Sequence, residues 1–325
     1  MTGIIKGTGA CVPRNTLDNR ELEKLVETSD KWIQERTGIQ RRHIAAKDTA
    51  ASMAAKAAKE ALAQAKLKPE QMDMILVSTM SSEEVMPSMA CRVQDEIGAF
   101  RAVCLDLNAA CSGFIMAYAT ACAYIEAGLF QNILVIGSEC LSNVTDWSDR
   151  GTCILFGDGA GAVVVTAAHG RGTIPVLGSD GTKGEALTLK NRKNQTPFSG
   201  PLTKEDLSPC YIRMDGQTVF KFAARKVPEA IEEVLLKNKL RKGDIKYYVL
   251  HQANKRIVEA VAKRIGEPAY KFPMNIQEYG NTSSASIPIL LWEMQKQNML
   301  HPGDNLVLAG FGGGLTWGAV IITWR

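Results

Sequence analysis

The chain predicts an α/β fold made of two similar halves, each a set of βαβ units. Three observations carry this reading. Short apolar runs such as MILVST (74–79), NILVIGSE (132–139) and YYVLHQAN (247–254) alternate with helix-length segments. That alternation implies mainly parallel strands with helices on both faces. The second half then repeats the order of the first: buried strand, helix, strand entering a sharp turn, helix, strand, closing strand. Cys111 on one turn lies 26 residues before Gly137, and Asn281 on the other lies 29 before Gly310. Finally, 46% apolar and 22% charged residues over 325 positions allow a sizeable core. We place the halves at 1–168 and 169–325. Related by a pseudo-twofold, they would stack helices between two sheets and gather strand ends from both.

The first half opens with IIKGTGACVP, a strand ending at Pro13. Asp18 or Asn19 caps a helix through about Thr28. Ser29 or Asp30 starts DKWIQERTG, which Gly38 stops. Residues 49–66 form an Ala-rich helix with little bulk, suited to close packing. Pro87 opens a helix that Gly98 closes. VCLDLNAACSGFIMAYATACAYIEAG (103–128) is a strand, a sharp turn bearing Cys111, and a long apolar helix. FGDGAGAVVVT (156–166) closes the half.

In the second half, short strands cover 173–178 and 186–189, and 191–208 is a polar surface loop. A helix spans 217–239, with Pro228 as a kink or restart. YYVL leads to His251 and a helix ending at Ile265. FPMNIQEYGNTSSAS brings a strand into the turn at Asn281, followed by a helix to about Gln297. NLVLAGFGGG and WGAVIITW are the last strands.

Net charge is +4, from 38 Lys+Arg against 34 Asp+Glu. This argues against nucleic acid as the main partner and leaves room for a local basic patch facing an acidic one. No run reaches the roughly 18 uncharged apolar residues of a membrane helix, and the N-terminus lacks a secretion signal. We expect a cytoplasmic protein. None of the eight cysteines forms a C-x-x-C pair, so neither disulfides nor a metal site is expected.

Cys111 is one candidate nucleophile. At a helix N-terminus the dipole and unpaired N–H groups favour thiolate, and a strand–turn–helix exposes a side chain as a nucleophile elbow does. On local context alone it reads equally as a packed core residue. His43, His169 and His301 are expected to be exposed. His251 follows a buried strand, as an active imidazole or a hydrogen-bonded core one. Asn281 is a third candidate, or simply a turn residue or helix cap. The glycines of GFGGGLTWG (310–318) suit close backbone approach. A strand follows them, so an oxyanion donor made of backbone N–H fits better than a phosphate loop.

Together LNAACSGF, LHQAN, YGNTSSASIP and GFGGGLTWG, with DKWIQERTGI and DRGTCILFGDGAGA, resemble the β-ketoacyl-acyl carrier protein synthase III family from Gly3 onward. The resemblance implies the thiolase fold, five layers α/β/α/β/α, and a homodimer without metal or cofactor. It implies that Cys111 takes a short acyl group from acyl-CoA. His251 and Asn281 then donate to the thioester carbonyl of malonyl-acyl carrier protein as CO2 leaves, and the carbanion attacks the acyl-cysteine. The backbone N–H groups of Cys111 and Gly313 would form the oxyanion hole, and Phe311 would be the gate. For CoA the matching positions are Thr28, Trp32, Arg36, Arg150, Met214, Gly216, Phe220, Ala253 and Asn254. Trp32 and Arg150 would sandwich the adenine, and Arg36 would meet a phosphate. Gln217 departs from the family's Asn.

Met86, Leu141 and Phe156 are assigned to the acyl pocket, Met86 reaching across the dimer into the partner's. Its flexibility implies primers beyond acetyl. Carrier docking falls to Arg256, Lys221, Lys255, Gln252 and Lys263, extended by Arg264. Four rivals stay open. One is a related acyltransferase forming C–O or C–N bonds. A second resembles 3-hydroxy-3-methylglutaryl-CoA synthase, with Glu83 or Glu84 as acid. The others are a Cys-His-Asn hydrolase and a non-catalytic partner subunit.

Overall fold

Residues with little side-chain bulk let this chain stack two sheets closely. The computed structural model describes residues 1–191, 196–198, 200–201 and 210–325, so most of the predicted 191–208 loop lies outside the described residues. The first half runs β1 Thr2–Cys11, β2 Thr16–Asp18, α1 Asn19–Leu22, α2 Asp30–Thr37, β3 Arg41–His43, α3 Ala50–Ala65, β4 Met74–Ser78, α4 Met89–Ile97, β5 Val103–Leu107, α5 Gly113–Glu126, β6 Asn132–Cys140, α6 Arg150–Cys153 and β7 Asp158–Ala168. The second runs β8 Val176–Ser179, β9 Leu187–Leu189, β10 Ile212–Met214, α7 Gly216–Asn238, β11 Tyr247–Leu250, α8 Lys255–Ile265, α9 Ile276–Tyr279, α10 Ser286–Lys296, β12 Asn305–Gly312 and β13 Thr316–Thr323.

Two large sheets result, ordered β1-β7-β6-β4-β5 and β11-β12-β13-β8, with two small two-stranded ones, β2-β3 and β9-β10. The large sheets repeat one pattern. β4–β6 and β11–β12 are parallel, and the next two pairings outward, β6–β7–β1 and β12–β13–β8, are antiparallel. The sheets are therefore mixed, where mainly parallel strands were expected. Three residues join β12 to β13, too few for a crossover helix, so the chain turns straight back. The strand predicted before Asn281 is also missing. Pro273 offers no ladder N–H, α9 follows, and Asn281 makes a single bridge to Phe156. Helix α1 stops at Leu22, short of Thr28. Leu22 is buried but Leu25 is exposed, and so short a helix has little to sustain it. Pro228 lies inside α7 without ending it.

The core shows the layering. Ala54, Ala57, Ala58, Ala61 and Leu62 of α3 pack with Val93 of α4 on one face of the first sheet. Phe114 and Ile115 of α5 and Ile287 and Leu291 of α10 fill the space between the two sheets. Ala223 and Ile231 of α7 and Val258 and Val261 of α8 cover the far face of the second. This is the five-layer α/β/α/β/α arrangement.

The duplication is most exact at the two turns that feed the central helices. Ala110 and Ser283 both adopt left-handed backbone, with φ of 46° and 49°, a conformation uncommon outside glycine. Each begins a short 3-10 turn leading into α5 or α10. Two residues before each stands an asparagine whose side-chain oxygen accepts its N–H. Asn108 holds Ala110 N at 3.2 Å, and Asn281 holds Ser283 N at 2.9 Å. The structural counterpart of Cys111 is thus Ser284, and that of Asn281 is Asn108. The C-terminal turn can sit on β6 because residue 137 is glycine. A Cβ there would lie 2.3 Å from Ser284 O.

Candidate active site

Three consecutive residues of β12 line up the site. Gly310 packs on the Cβ of His251, and Gly312 on the backbone N of Cys111. Between them, the Phe311 ring meets His251 edge-on, with centroids 5.6 Å apart. Asn281 is fixed by backbone bonds to Leu155 and Gly157, and Ser283 faces the Cys111 sulfur. Strand ends and turns from both halves therefore bring Cys111, His251 and Asn281 to one buried place.

The local hydrogen bonds decide what each side chain can do. Ser286 Oγ accepts the N–H of Gln252 at 3.3 Å and lies 2.7 Å from His251 Nδ1. Its hydroxyl hydrogen has no other acceptor among the described residues, so Ser286 donates to Nδ1 and the imidazole carries its proton on Nε2. Burial pushes His251 down to about 3, and the ring is neutral at pH 7. Asn281 Oδ1 is occupied by Ser283 N, which leaves its amide N–H2 to donate. The site thus offers two neutral, preorganised donors.

One consequence concerns acid stability. Unfolded His251 takes a proton near 6.5, while the folded ring refuses it down to about 3. Between these values the unfolded state binds the extra proton, so stability falls as pH falls. Against His251→Gln, the wild type is expected to lose up to about 1.4 kcal/mol more per pH unit below 6.5. Denaturant unfolding at pH 7, 6 and 5 measures this, and parallel curves for the two proteins would contradict it.

Cys111 departs from the helix-tip expectation. It sits in the 3-10 turn before α5, and burial pushes its thiol up to about 12. The Ser283 hydroxyl and the cysteine's own N–H oppose this, but desolvation outweighs them. Three further residues were not legible in the sequence. Ser286 sets the tautomer of His251, Ser283 faces the sulfur, and Glu139 is a fully buried carboxyl beside them. All three meet the site only through tertiary packing, so local pattern carries no signal for them. Gly313 packs near Ala110.

The CoA candidates form one rim. Arg150 lies over the Trp32 ring at 5.0 Å and Arg36 at 5.8 Å. Arg150 Nη1 donates to Glu27 O, and Thr28 Oγ1 is buried without a hydrogen-bond partner. Asn254 caps α8 and donates to Arg36 O at 3.0 Å, joining the two sides. Met214 packs in the same small core as Trp32. Ala253 lies just before Asn254, Gly216 opens α7, and the Phe220 ring carries the Arg256 guanidinium at 5.8 Å.

Lys221, Lys255, Arg256 and Lys263 are exposed on α7 and α8. Lys255 also lies 3.7 Å from Glu259, and Arg264 is taken by Glu229 and Ala224 O. Gln252 is not on that surface. It is 1% exposed, donates to Leu250 O and accepts from Asn275 N, so it cannot dock a carrier. His43 is half-buried rather than exposed. Its Nδ1 lies 2.6 Å from Pro13 O, and its ring packs on Tyr279.

Leu141 and Phe156 are buried together, with Met80 against them. Met86 is 87% exposed, as its neighbour Val85 is exposed, and on the edge strand β5 Val103 and Leu105 are exposed as well. A groove of about 1120 Å³ runs past Met80–Val85, Asp106 and Met116 to Ala110 and Gly313, which flank Cys111. Glu83 accepts from Ala50 N at the start of α3, and Glu84 pairs with Arg92. Neither is free to act as an acid.

Residues 105–181 match the family described as 3-Oxoacyl-[acyl-carrier-protein (ACP)] synthase III, and 235–324 match its C-terminal family. The chain is 45% identical over 321 residues to a beta-ketoacyl-[acyl-carrier-protein] synthase III of Clostridium acetobutylicum, covering 98% of each. It superposes on the crystal structure of 3-oxoacyl-[acyl-carrier-protein] synthase III from Aquifex aeolicus with a TM-score of 0.92 at 43% identity, covering 99% of this chain and 100% of that one. A priming beta-ketosynthase of a polyketide biosynthetic pathway matches at a TM-score of 0.94 and 32% identity, covering 100% and 96%.

Proposed function

From the premise that the chain belongs to the 3-oxoacyl-[acyl-carrier-protein] synthase III family, we propose that Cys111, His251 and Asn281 join a short acyl group to malonyl-acyl carrier protein. The reaction is a decarboxylative Claisen condensation, and it initiates fatty acid synthesis. Cys111 attacks the acyl-CoA thioester, CoA leaves, and the acyl group stays on sulfur. His251 Nε2–H and the Asn281 amide then hold the thioester oxygen of the malonyl group as CO2 departs. The carbanion attacks the acyl-cysteine and frees the thiol. Two neutral donors suit this step. They stabilise the enolate oxygen, each by roughly 3–4 kcal/mol of barrier, without a full positive charge that would hold the carboxylate back. The reading draws on no cofactor. The observation that carries it is the pair of donors, each fixed by a serine of the same turn: Ser286 on His251, and the Ser283 N–H on Asn281.

The CoA rim, the exposed cations Lys221, Lys255, Arg256 and Lys263, and the backbone N–H groups of Cys111 and Gly313 are assigned as the resemblance implies. We assign a homodimer, because β5 is an open sheet edge that exposes Val103 and Leu105, and Val85 and Met86 are exposed apolar side chains too. We also assign two halves divided after 168, and a cytoplasmic setting. Among the described residues no helix is long and apolar enough to cross a membrane.

The test is mass spectrometry of Cys111 after exposure to acetyl-, butyryl- and isobutyryl-CoA together, followed by malonyl-acyl carrier protein. We expect acyl adducts that the carrier then discharges as 3-ketoacyl product. We also expect butyryl and isobutyryl groups among them, since Met86 is a flexible pocket floor. No adduct on Cys111 would defeat the assignment, and adducts of acetyl alone would defeat the primer prediction.

A further inference from the structure

Cys111 has to lose a proton to become a nucleophile, and its surroundings narrow what can take it. His251 cannot. Its Nε2 carries a hydrogen and its Nδ1 lone pair receives that of Ser286. The other side of the sulfur is different. Ser283 is fully buried and lies beside both the Cys111 sulfur and the Glu139 carboxyl, and its Oγ makes no hydrogen bond among the described residues, so its hydroxyl is free to turn toward either. Its left-handed backbone, at φ 49°, belongs to the turn that also positions Asn281.

Glu139 is fully buried on β6 and pairs with no Lys, Arg or His among the described residues. Ser81 Oγ at 2.6 Å, Met80 N at 3.1 Å and Thr79 Oγ1 at 3.3 Å donate to Oε2. Ser81 accepts Cys140 N at 2.9 Å, so its hydrogen is committed to Glu139. Ser284 Oγ lies 2.8 Å from Oε1 and 3.0 Å from Ser78 O. One hydroxyl hydrogen can serve only one of those acceptors. When Glu139 is ionised, Ser284 donates to Oε1. When Glu139 is protonated, Oε1–H donates to Ser284 Oγ, whose hydrogen turns to Ser78 O. Both charge states are satisfied by one hydroxyl rotation, which a purely structural carboxylate does not need.

We propose that Glu139 is the proton acceptor for Cys111, acting through the Ser283 hydroxyl. This rests on the reading of Cys111 as the acyl-carrying nucleophile. As sulfur bonds to the thioester carbon, the S–H proton passes to Ser283 Oγ, and the Ser283 proton passes to Oε1. CoA leaves as thiolate and takes a proton from solvent. When the carbanion later displaces the cysteine thiolate, the same proton returns to sulfur, so Glu139 ends as it began. Burial holds the Glu139 carboxyl above its ordinary value while its hydrogen bonds pull it down, which suits a reversible acceptor. Cys111 is the titratable group that it faces.

The test is rapid-quench mass spectrometry of Cys111 acylation by a primer acyl-CoA, from pH 6 to 9. Glu139→Gln is expected to slow acylation about 10²-fold at pH 7. The deficit should shrink about tenfold per pH unit, because hydroxide then removes the thiol proton directly. Ser283→Ala, which leaves the carboxyl and its Ser81, Met80, Thr79 and Ser284 donors in place, should show the same pH rescue. A deficit that stays constant with pH in both variants, or wild-type rates in both, overturns the relay while leaving the nucleophile intact. Absence of an adduct in the wild type would instead remove the reading on which the relay rests.

Discussion

Cys111→Ala is expected to abolish condensation, and no acyl adduct should remain on the chain. The same variant should still release CO2 from malonyl-acyl carrier protein, because the two donors assigned to the enolate oxygen are held without the sulfur. His251 Nε2–H is set by Ser286, and the Asn281 amide by Ser283 N. The converse is expected of His251→Ala and Asn281→Ala. Each removes one preorganised donor and should lower condensation about 10²–10³-fold, while Cys111 still accepts the primer. Labelled-CO2 release and adduct mass, measured side by side on the three variants, separate the half-reactions. If Cys111→Ala loses both together, the division of labour is wrong.

Gly312→Ala is expected to cost nearly as much without touching a reacting group. A Cβ at 312 would lie 2.6 Å from Cys111 N and 2.9 Å from Ser112 N. Both are backbone atoms of a turn tied down elsewhere. Ser112 Oγ bonds Thr316 Oγ1 at 2.8 Å and Ala109 O at 2.9 Å. The turn therefore moves as a unit, carrying the sulfur and the Cys111 N–H off their positions. Misplacement by about 1 Å can cost roughly 10²-fold. Single-turnover acylation should fall by that order, with far-ultraviolet circular dichroism unchanged. An Ala variant that acylates at the wild-type rate would show that the close approach is not needed.

The glycines of GFGGGLTWG illustrate how far local reading reaches. Their density announced close approach, and the structure supplies what approaches: the Cys111 turn at Gly312 and the His251 side chain at Gly310. A glycine signals missing bulk, but not the partner that uses the space. The half-to-half repeat was legible for the same kind of reason. Hydrophobic period and turn chemistry are local, so two similar series of them can be matched along the chain. The strand before Asn281 was misread because an apolar run with Pro273 resembles its counterpart β5 in composition but cannot join a ladder.

Cys111 also shows where charge escapes local reading. A cysteine at the start of an apolar helix reads as a low-pKa thiol. Enclosure by the other half reverses that, because desolvation depends on atoms more than a hundred residues away. Gln252 failed as a docking residue for the same reason. Two positions after a buried strand, it turns inward to bond Leu250 O and Asn275 N.

The sequence by itself carried the duplicated α/β architecture, because periodicity and turn formers are properties of neighbours along the chain, and it named the three candidate site residues through the resemblance of their motifs to the family's. Only the tertiary structure decided that the cysteine is a buried thiol, that the imidazole donates from Nε2, and that Glu139 and Ser283 stand behind the sulfur. Proton position and charge are set by desolvation and by hydrogen bonds between segments that meet only when the two halves pack.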